Sequence, residues 1–183
     1  GTSHKYITKV MKEKLGKDIC IPLIGIYDNA EQIDFLKLPS KFVIKCNHGS
    51  GWNIIVKDKN QLNIHAIKHK LNDWLKRKWS EHEFHYHCIP PKILIEEYKE
   101  NLEDIKIFCF NGIPKFCQVD KHFQEHRMNF YDCDWNYLPQ ISNLAYPSNS
   151  NIQDKKPEQL KEMLELAKIL SNDFKFVRVD LYP

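Results

Sequence analysis

The chain has 183 residues, 42% hydrophobic, 28% charged and 12% aromatic, which excludes a peptide-sized scaffold and a disordered tail and leaves enough chain for one domain or two small lobes. A formal charge of +3 is too small to argue for nucleic acid. No apolar run approaches the roughly 18 residues of a membrane span, and Gly1-Thr2-Ser3-His4-Lys5 has no signal-peptide core, so the chain reads as soluble.

In chain order, Tyr6, Ile7, Val10, Met11 and Leu15 recur near a 3.6 period and Gly16 follows, predicting a short amphipathic helix over 4–16. An apolar stretch, residues 19–28, is broken by Pro22 and Gly25. Phe42-Val43-Ile44-Lys45 is a strand that ends in the turn Asn47-His48-Gly49-Ser50-Gly51, and Asn53-Ile54-Ile55-Val56 leaves that turn at once. A Walker loop is excluded, because its glycines open onto a helix.

Ile64, Ile67, Leu71, Trp74, Leu75 and Trp79 lie on one face of a helix predicted over 64–79. Lys92–Tyr98, Asp104–Phe110 and Ile113–Val119 follow as strands, the last two joined by Asn111-Gly112, and read as an antiparallel meander. Residues 139–154 form a polar loop, Pro157 opens a helix to about Leu170, and Phe176–Tyr182 is the final strand. The six cysteines contain no Cys-x-x-Cys pair, and four sit in apolar runs, as reduced thiols of a cytoplasmic protein would.

Three features carry chemistry. Lys45 ends a strand beside a loop with two glycines and a serine, where an ammonium and free backbone amides suit phosphate; a hairpin turn with an exposed lysine is the plainer alternative. Arg178 and Asp180 alternate on one strand and share a face, suited to a phosphoryl group and a hard cation, or simply to a surface ion pair. Glu96-Glu97-Tyr98 closes a strand and places carboxylates where a nucleoside could lie, though solvated edge charges have the same pattern. Rival motifs are weaker. His82, His85, His87 and Cys88 fit no zinc spacing, Lys68, Lys70, Lys76, Arg77 and Lys78 form a solvated helix face, and Asp132-Cys133-Asp134 has the spacing of a sugar-transferase metal motif without its strand-end context.

In order, Lys5, residues 42–51, 95–98, 104–112, 129–135 and 176–182 resemble the TupA-like (teichuronopeptide-synthesis) ATP-grasp family, and more distantly the D-alanine:D-alanine ligases. The resemblance covers the chain from about His4 onwards. It implies an α+β ATP-grasp fold in which two lobes, about 4–95 and 96–183, grip ATP with antiparallel sheets. Lys5 and Lys45 resemble the two phosphate lysines, His48, Gly49, Ser50 and Gly51 the loop that closes over the phosphates, and Glu96, Glu97 and Tyr98 the hinge that meets the adenine. Asp104, or Glu103 beside it, resembles the ribose carboxylate, Arg178 the arginine that steadies an acyl phosphate, and Asp180 the first Mg²⁺ ligand. Where the ligases carry Tyr-Asp-x-x-x-Lys, Tyr131-Asp132 is followed by Asn136, so the missing charge falls to Lys106, Lys121 or Arg127, with Lys106 taken as the catalytic lysine. The strand that completes the metal site in such ligases is expected beyond Pro183.

The implied function is a cytoplasmic ATP- and Mg²⁺-dependent ligase joining a carboxylate, on a sugar acid or peptide, to an amine, in bacterial capsule or cell-wall polysaccharide biosynthesis. It has no nucleic-acid partner and no transmembrane segment. A non-catalytic nucleotide-binding module and a polysaccharide-pathway glycosyltransferase are the alternatives.

Overall fold

A computed structural model describes residues 13–16, 20–78, 88–100, 102–121, 127–142, 148, 151 and 153–183. The chain divides into two compact units, 1–100 and 101–183. The division falls five residues after the expected boundary, because the strand that includes Glu96 and Glu97 is hydrogen-bonded into the first sheet.

The first unit contains a four-stranded antiparallel sheet of β1 (Leu23–Tyr27), β2 (Phe42–Cys46), β3 (Asn53–Val56) and β4 (Ile93–Glu97), in the order β1-β4-β2-β3, with the helix α1 (Ile64–Lys76) packed on it. Alternation along β2 sends Phe42, Ile44 and Cys46 to one face, where Ile93 and Ile95 of β4 and Leu71 and Trp74 of α1 complete a buried core. Asn63 starts α1 by accepting the Ala66 N–H through its side chain, one of the orphan donors of a helix start. The helix stops at Lys76 rather than at residue 79: Arg77 is extended and its N–H returns to the Trp74 carbonyl. Trp79, with most of the helix expected over 4–16, lies outside the described residues.

In the second unit, β5 (Ile105–Phe110), β6 (Ile113–Lys121), β7 (Arg127–Asp132) and β8 (Phe176–Leu181) form an antiparallel sheet in the order β7-β6-β5-β8, with α2 (Leu160–Ser171) on one face. The expected meander is therefore corrected. The segment around 93–97 belongs to the other sheet, and the three consecutive neighbours are β5, β6 and β7. Asn111 and Gly112 both have positive φ, 49° and 75°, the geometry of the tight hairpin that an Asn-Gly pair specifies. Pro157 lies before the second helix; its carbonyl accepts the Leu160 N–H. Leu160, Met163 and Ala167 pack onto Ile105, Ile107, Cys109 and Cys117.

One polar cluster is buried beneath this sheet. Asp154, with a side chain only 1% exposed, takes a two-pronged bond from Arg127 (2.7 and 3.1 Å), one from the Tyr131 hydroxyl (2.9 Å) and one from Asn129 (3.0 Å). Its carbonyl accepts Trp135 Nε1–H at 3.0 Å, and the Trp135 ring stacks on Tyr131. Burial alone would raise the pKa of Asp154, but Arg127, Tyr131 and Asn129 hold it below the usual carboxylate range. With its folded pKa depressed, the stabilisation is complete above about pH 4 and is lost as the pH falls through the folded value. Asp154→Ala strands the Arg127 guanidinium and is expected to cost about 3–5 kcal/mol in urea unfolding at pH 7. An acid titration checks the same pair: the gap between wild type and variant should narrow below pH 4.

Candidate functional site

The α1 and α2 helices each occupy one face of a sheet, so the residues with chemistry collect on the other faces. In the first unit that face carries Lys45 and Glu96. Lys45 Nζ lies 2.6 Å from the Glu96 carboxylate, the lysine side chain 37% and the glutamate 11% exposed. Register explains the meeting: Val43 opposes Glu96 and Lys45 opposes Leu94, which leaves the lysine diagonal to the glutamate on one face. Glu97 points to the opposite side and pairs with Lys99 at 2.8 Å. The Glu97 N–H already donates to the Pro22 carbonyl, so among 96–98 the backbone outside the ladder begins at Tyr98, whose ring lies 5.8 Å from Lys41 Nζ. Lys5 lies outside the described residues.

The glycine loop has two kinds of residue. Ser50 and Gly51 are exposed, and Gly51 has φ +72°, a backbone shape that penalises any side chain. Gly49 has a different reason to be glycine: a Cβ there would come within 2.6 Å of the Trp52 ring. His48 departs from its expected place over the phosphates. Its side chain is buried, 4% exposed, with Nε2 3.0 Å from the Trp74 carbonyl.

In the second unit, the face away from α2 holds Asp104, Lys106, Asp120, Arg178 and Asp180. Lys106 opposes Asp180 across β5 and β8, and Phe108 opposes Arg178. Arg178 holds both Asp180 oxygens, Nε–Oδ1 at 2.7 Å and a second guanidinium N–H to Oδ2 at 2.8 Å. Lys106, with a side chain 12% exposed, donates to Asp104 and, at 2.8 Å, to Asp120. Burial alone would lower the Lys106 pKa, yet the two carboxylates raise it above the usual lysine value. The Arg178 pKa is also raised, first by Asp180 and further by the fields of Asp104 and Asp120. Lys121 and Arg127 are already engaged, the first by Glu103 and the second by Asp154 beneath the sheet. Of the three cations considered for the missing lysine, Lys106 is the one that shares a face with Asp180.

Asn136 donates to Asp132 at 2.9 Å. Asp132 also accepts the N–H groups of Asp134 and Asn136, so its carboxylate builds a turn, and its pKa lies below the usual range chiefly through Asn136. The Asp132-Cys133-Asp134 spacing therefore marks a turn.

Two tests bear on ligands. Asp104 Oδ1 is buried and has no hydrogen-bond partner among the described residues, an open acceptor that a hydroxyl donor fits. That acceptor suits one hydroxyl of a ligand. Among the described residues no group of three acidic, histidine or cysteine side chains is placed to hold a metal by itself, and both Asp180 oxygens are bonded to Arg178; a Mg²⁺ ion there would take Asp180 together with phosphate oxygens.

Comparison with known proteins gives this arrangement its class. A crystal structure of D-alanine–D-alanine ligase from Bacillus anthracis has the same fold, with a TM-score of 0.51 and 19% identity over 98% of this chain and 52% of that one. A second structure of that ligase, complexed with ATP, gives a TM-score of 0.49 and 19% identity over 97% of this chain and 48% of its own. The chain thus spans about half the length of these solved ligases. The fold is ATP-grasp, α+β. Residues 2–183 match the family described as TupA-like ATPgrasp, and the chain belongs to that family. No curated protein matches it in sequence.

Lys106→Met leaves Asp104 and Asp120 facing one another without their shared cation. The variant is expected to lose about 3 kcal/mol at pH 7. Urea titrations beside Lys106→Arg, which keeps the charge, check this; an equal deficit in both variants would assign the loss to packing.

Proposed function

We propose that the chain is the nucleotide-handling part of an ATP-dependent carboxylate–amine ligase. Arg178 and Lys106 on the open face of a sheet from an ATP-grasp family member carry the reading. In such a ligase the γ-phosphoryl of ATP passes to a carboxylate oxygen, ADP leaves, and an amine attacks the acyl carbon, expelling phosphate as the amide forms and the nitrogen gives up its proton. The protein's part is electrostatic.

Lys45 and the amides of Gly49, Ser50 and Gly51 hold phosphate oxygens. Lys5 is the second phosphate lysine. Asp104 accepts a ribose hydroxyl at its open oxygen, and backbone at the Glu96-Glu97-Tyr98 segment meets the adenine. Arg178 carries the charge that develops on the acyl phosphate, released for that task when Asp180 exchanges it for another partner; Lys106 keeps the neighbouring carboxylates from repelling the phosphates. Mg²⁺, when bound, would neutralise phosphate charge, with Asp180 as one ligand in a set that the described residues do not complete.

The proposed carboxylate belongs to a sugar acid or peptide of a bacterial capsule or cell-wall polysaccharide, and the reaction takes place in the cytoplasm. Membership of an ATP-grasp family supports a carboxylate substrate in general, and the six free cysteines suit a reducing compartment. Among the described residues, no helix is long and apolar enough to cross a membrane. The incomplete acidic set favours one second reading, a module that binds nucleotide without transfer.

Calorimetric titration of ATP tests the site. Binding in about the micromolar range is expected, weakened at least about tenfold by Lys45→Ala. Arg178→Ala should bind ATP within about threefold of wild type while abolishing ADP release in the presence of carboxylate and amine, because its interaction grows with transferring charge. Unchanged ATP affinity in Lys45→Ala would overturn the phosphate assignment; ATP binding by wild type with no ADP release under any substrate pair would select the binding module.

A further inference from the structure

The phosphate reading treats residues 47–51 as a loop that closes over its ligand, but the structure gives the loop a frame of its own. Asn47 is fixed by three bonds to the segment before β4: its N–H donates to the Lys92 carbonyl at 3.1 Å, its side-chain oxygen accepts the Lys92 N–H at 2.7 Å, and its side-chain amide donates to the Pro90 carbonyl at 3.1 Å. His48 reaches the other way. A carbonyl only accepts, so the 3.0 Å contact with Trp74 requires the proton on Nε2. Its Nδ1 is buried and finds no partner among the described residues.

The Trp52 ring completes the frame. It stands edge-on to His48 with centroids 4.9 Å apart, and parallel to Trp74 at 6.1 Å and 9°. It fills the space where a side chain on Gly49 would go. Backbone bonds from Cys46 N–H to the Trp52 carbonyl and from Asn53 N–H to the Gly51 carbonyl, both 2.9 Å, close the turn at its base. The Trp74 carbonyl that receives His48 also takes the Arg77 N–H, so the loop is pinned to the last turn of α1.

We propose that His48 and Trp52 are positioning residues: they tie the Asn47–Gly51 loop to the end of α1 and hold it preformed, so that a polyphosphate meets amides already aimed and only Ser50 and Gly51 adjust. This rests on the assignment of the loop to ATP phosphates. The geometry calls for a buried imidazole and not merely a polar residue, because the side chain must span from the loop to the helix carbonyl. Glutamine carries its amide nitrogen at about the reach of Nε2, whereas asparagine stops at the reach of Nδ1.

The experiment compares His48→Asn, His48→Gln and Trp52→Phe with wild type by amide hydrogen exchange of the free protein and by titration with ATP and with adenosine. Losing the tether should speed exchange about tenfold in His48→Asn at the bonded amides that frame the loop, Asn47 and Asn53, while β4 and α1 up to Leu71 keep wild-type protection. His48→Gln should restore it to within about threefold, and Trp52→Phe should show the smaller loosening of a lighter ring. ATP affinity should fall about tenfold in His48→Asn with adenosine affinity unchanged, since adenosine has no phosphate for the loop to meet.

Unchanged exchange in both His48→Asn and Trp52→Phe overturns the proposal, as does equal weakening of ATP and adenosine. If His48→Asn fails to fold, His48→Gln and Trp52→Phe decide by the same readouts. If wild-type protein binds no ATP, the phosphate assignment fails on its own, and the exchange pattern still judges the tether.

Discussion

Among the described residues each sheet has one α-helix packed on it, and that constraint organises everything else. Four antiparallel strands present two faces, and burying apolar side chains at about 25 cal/mol per Å² commits one face to the helix. Period-two alternation then sends every second residue to the other face. Lys45 is carried there because Ile44 and Cys46 are needed inside, and Arg178 and Asp180 because Val177 and Val179 pack towards α2. The charged residues are held in rows by the hydrophobic effect acting on their neighbours.

Charge on these faces is nearly balanced by carboxylates. Lys45 faces Glu96, Lys106 lies between Asp104 and Asp120, and Arg178 grips Asp180. A cation held this way keeps its geometry without a ligand and can exchange one carboxylate for another anion at small net electrostatic change. Partners in exchange suit a site that must bind a highly charged group and later release it.

Much of the fold was legible in the chain, and the reasons differ by element. The β2 and β3 strands and the turn between them follow from a short apolar run, two glycines and another apolar run. The Asn111-Gly112 hairpin follows from turn chemistry, and Leu160, Met163 and Ala167 declare α2 by spacing. The assignment of β4 to the first sheet was not readable, because strand pairing is non-local and the segment resembles its neighbours. Neither was β7, whose interior Asn129 and Tyr131 look polar until Asp154 is seen beside them. His48 was legible as part of a loop, but its inward turn depends on Trp74, 26 residues away. Asp154 gave no signal at all within a polar stretch, since what marks it is a partner on a distant strand.

The Asp154 cluster has a bearing on how this family can diversify. The segment from Tyr131 to Asp154 is pinned at both ends by the same buried bonds, so its length is decoupled from the sheet. Closing a longer connection costs only about 0.6 kcal/mol per doubling, far less than the anchor itself contributes. Residues can therefore be gained or shed between Leu138, whose N–H is bonded back to Phe130, and Asp154 without disturbing β7, provided that the acid, the arginine and the tyrosine persist where the ends meet. Evolution has a place here to vary surface reach while the strands that hold Lys106 and Arg178 stay fixed.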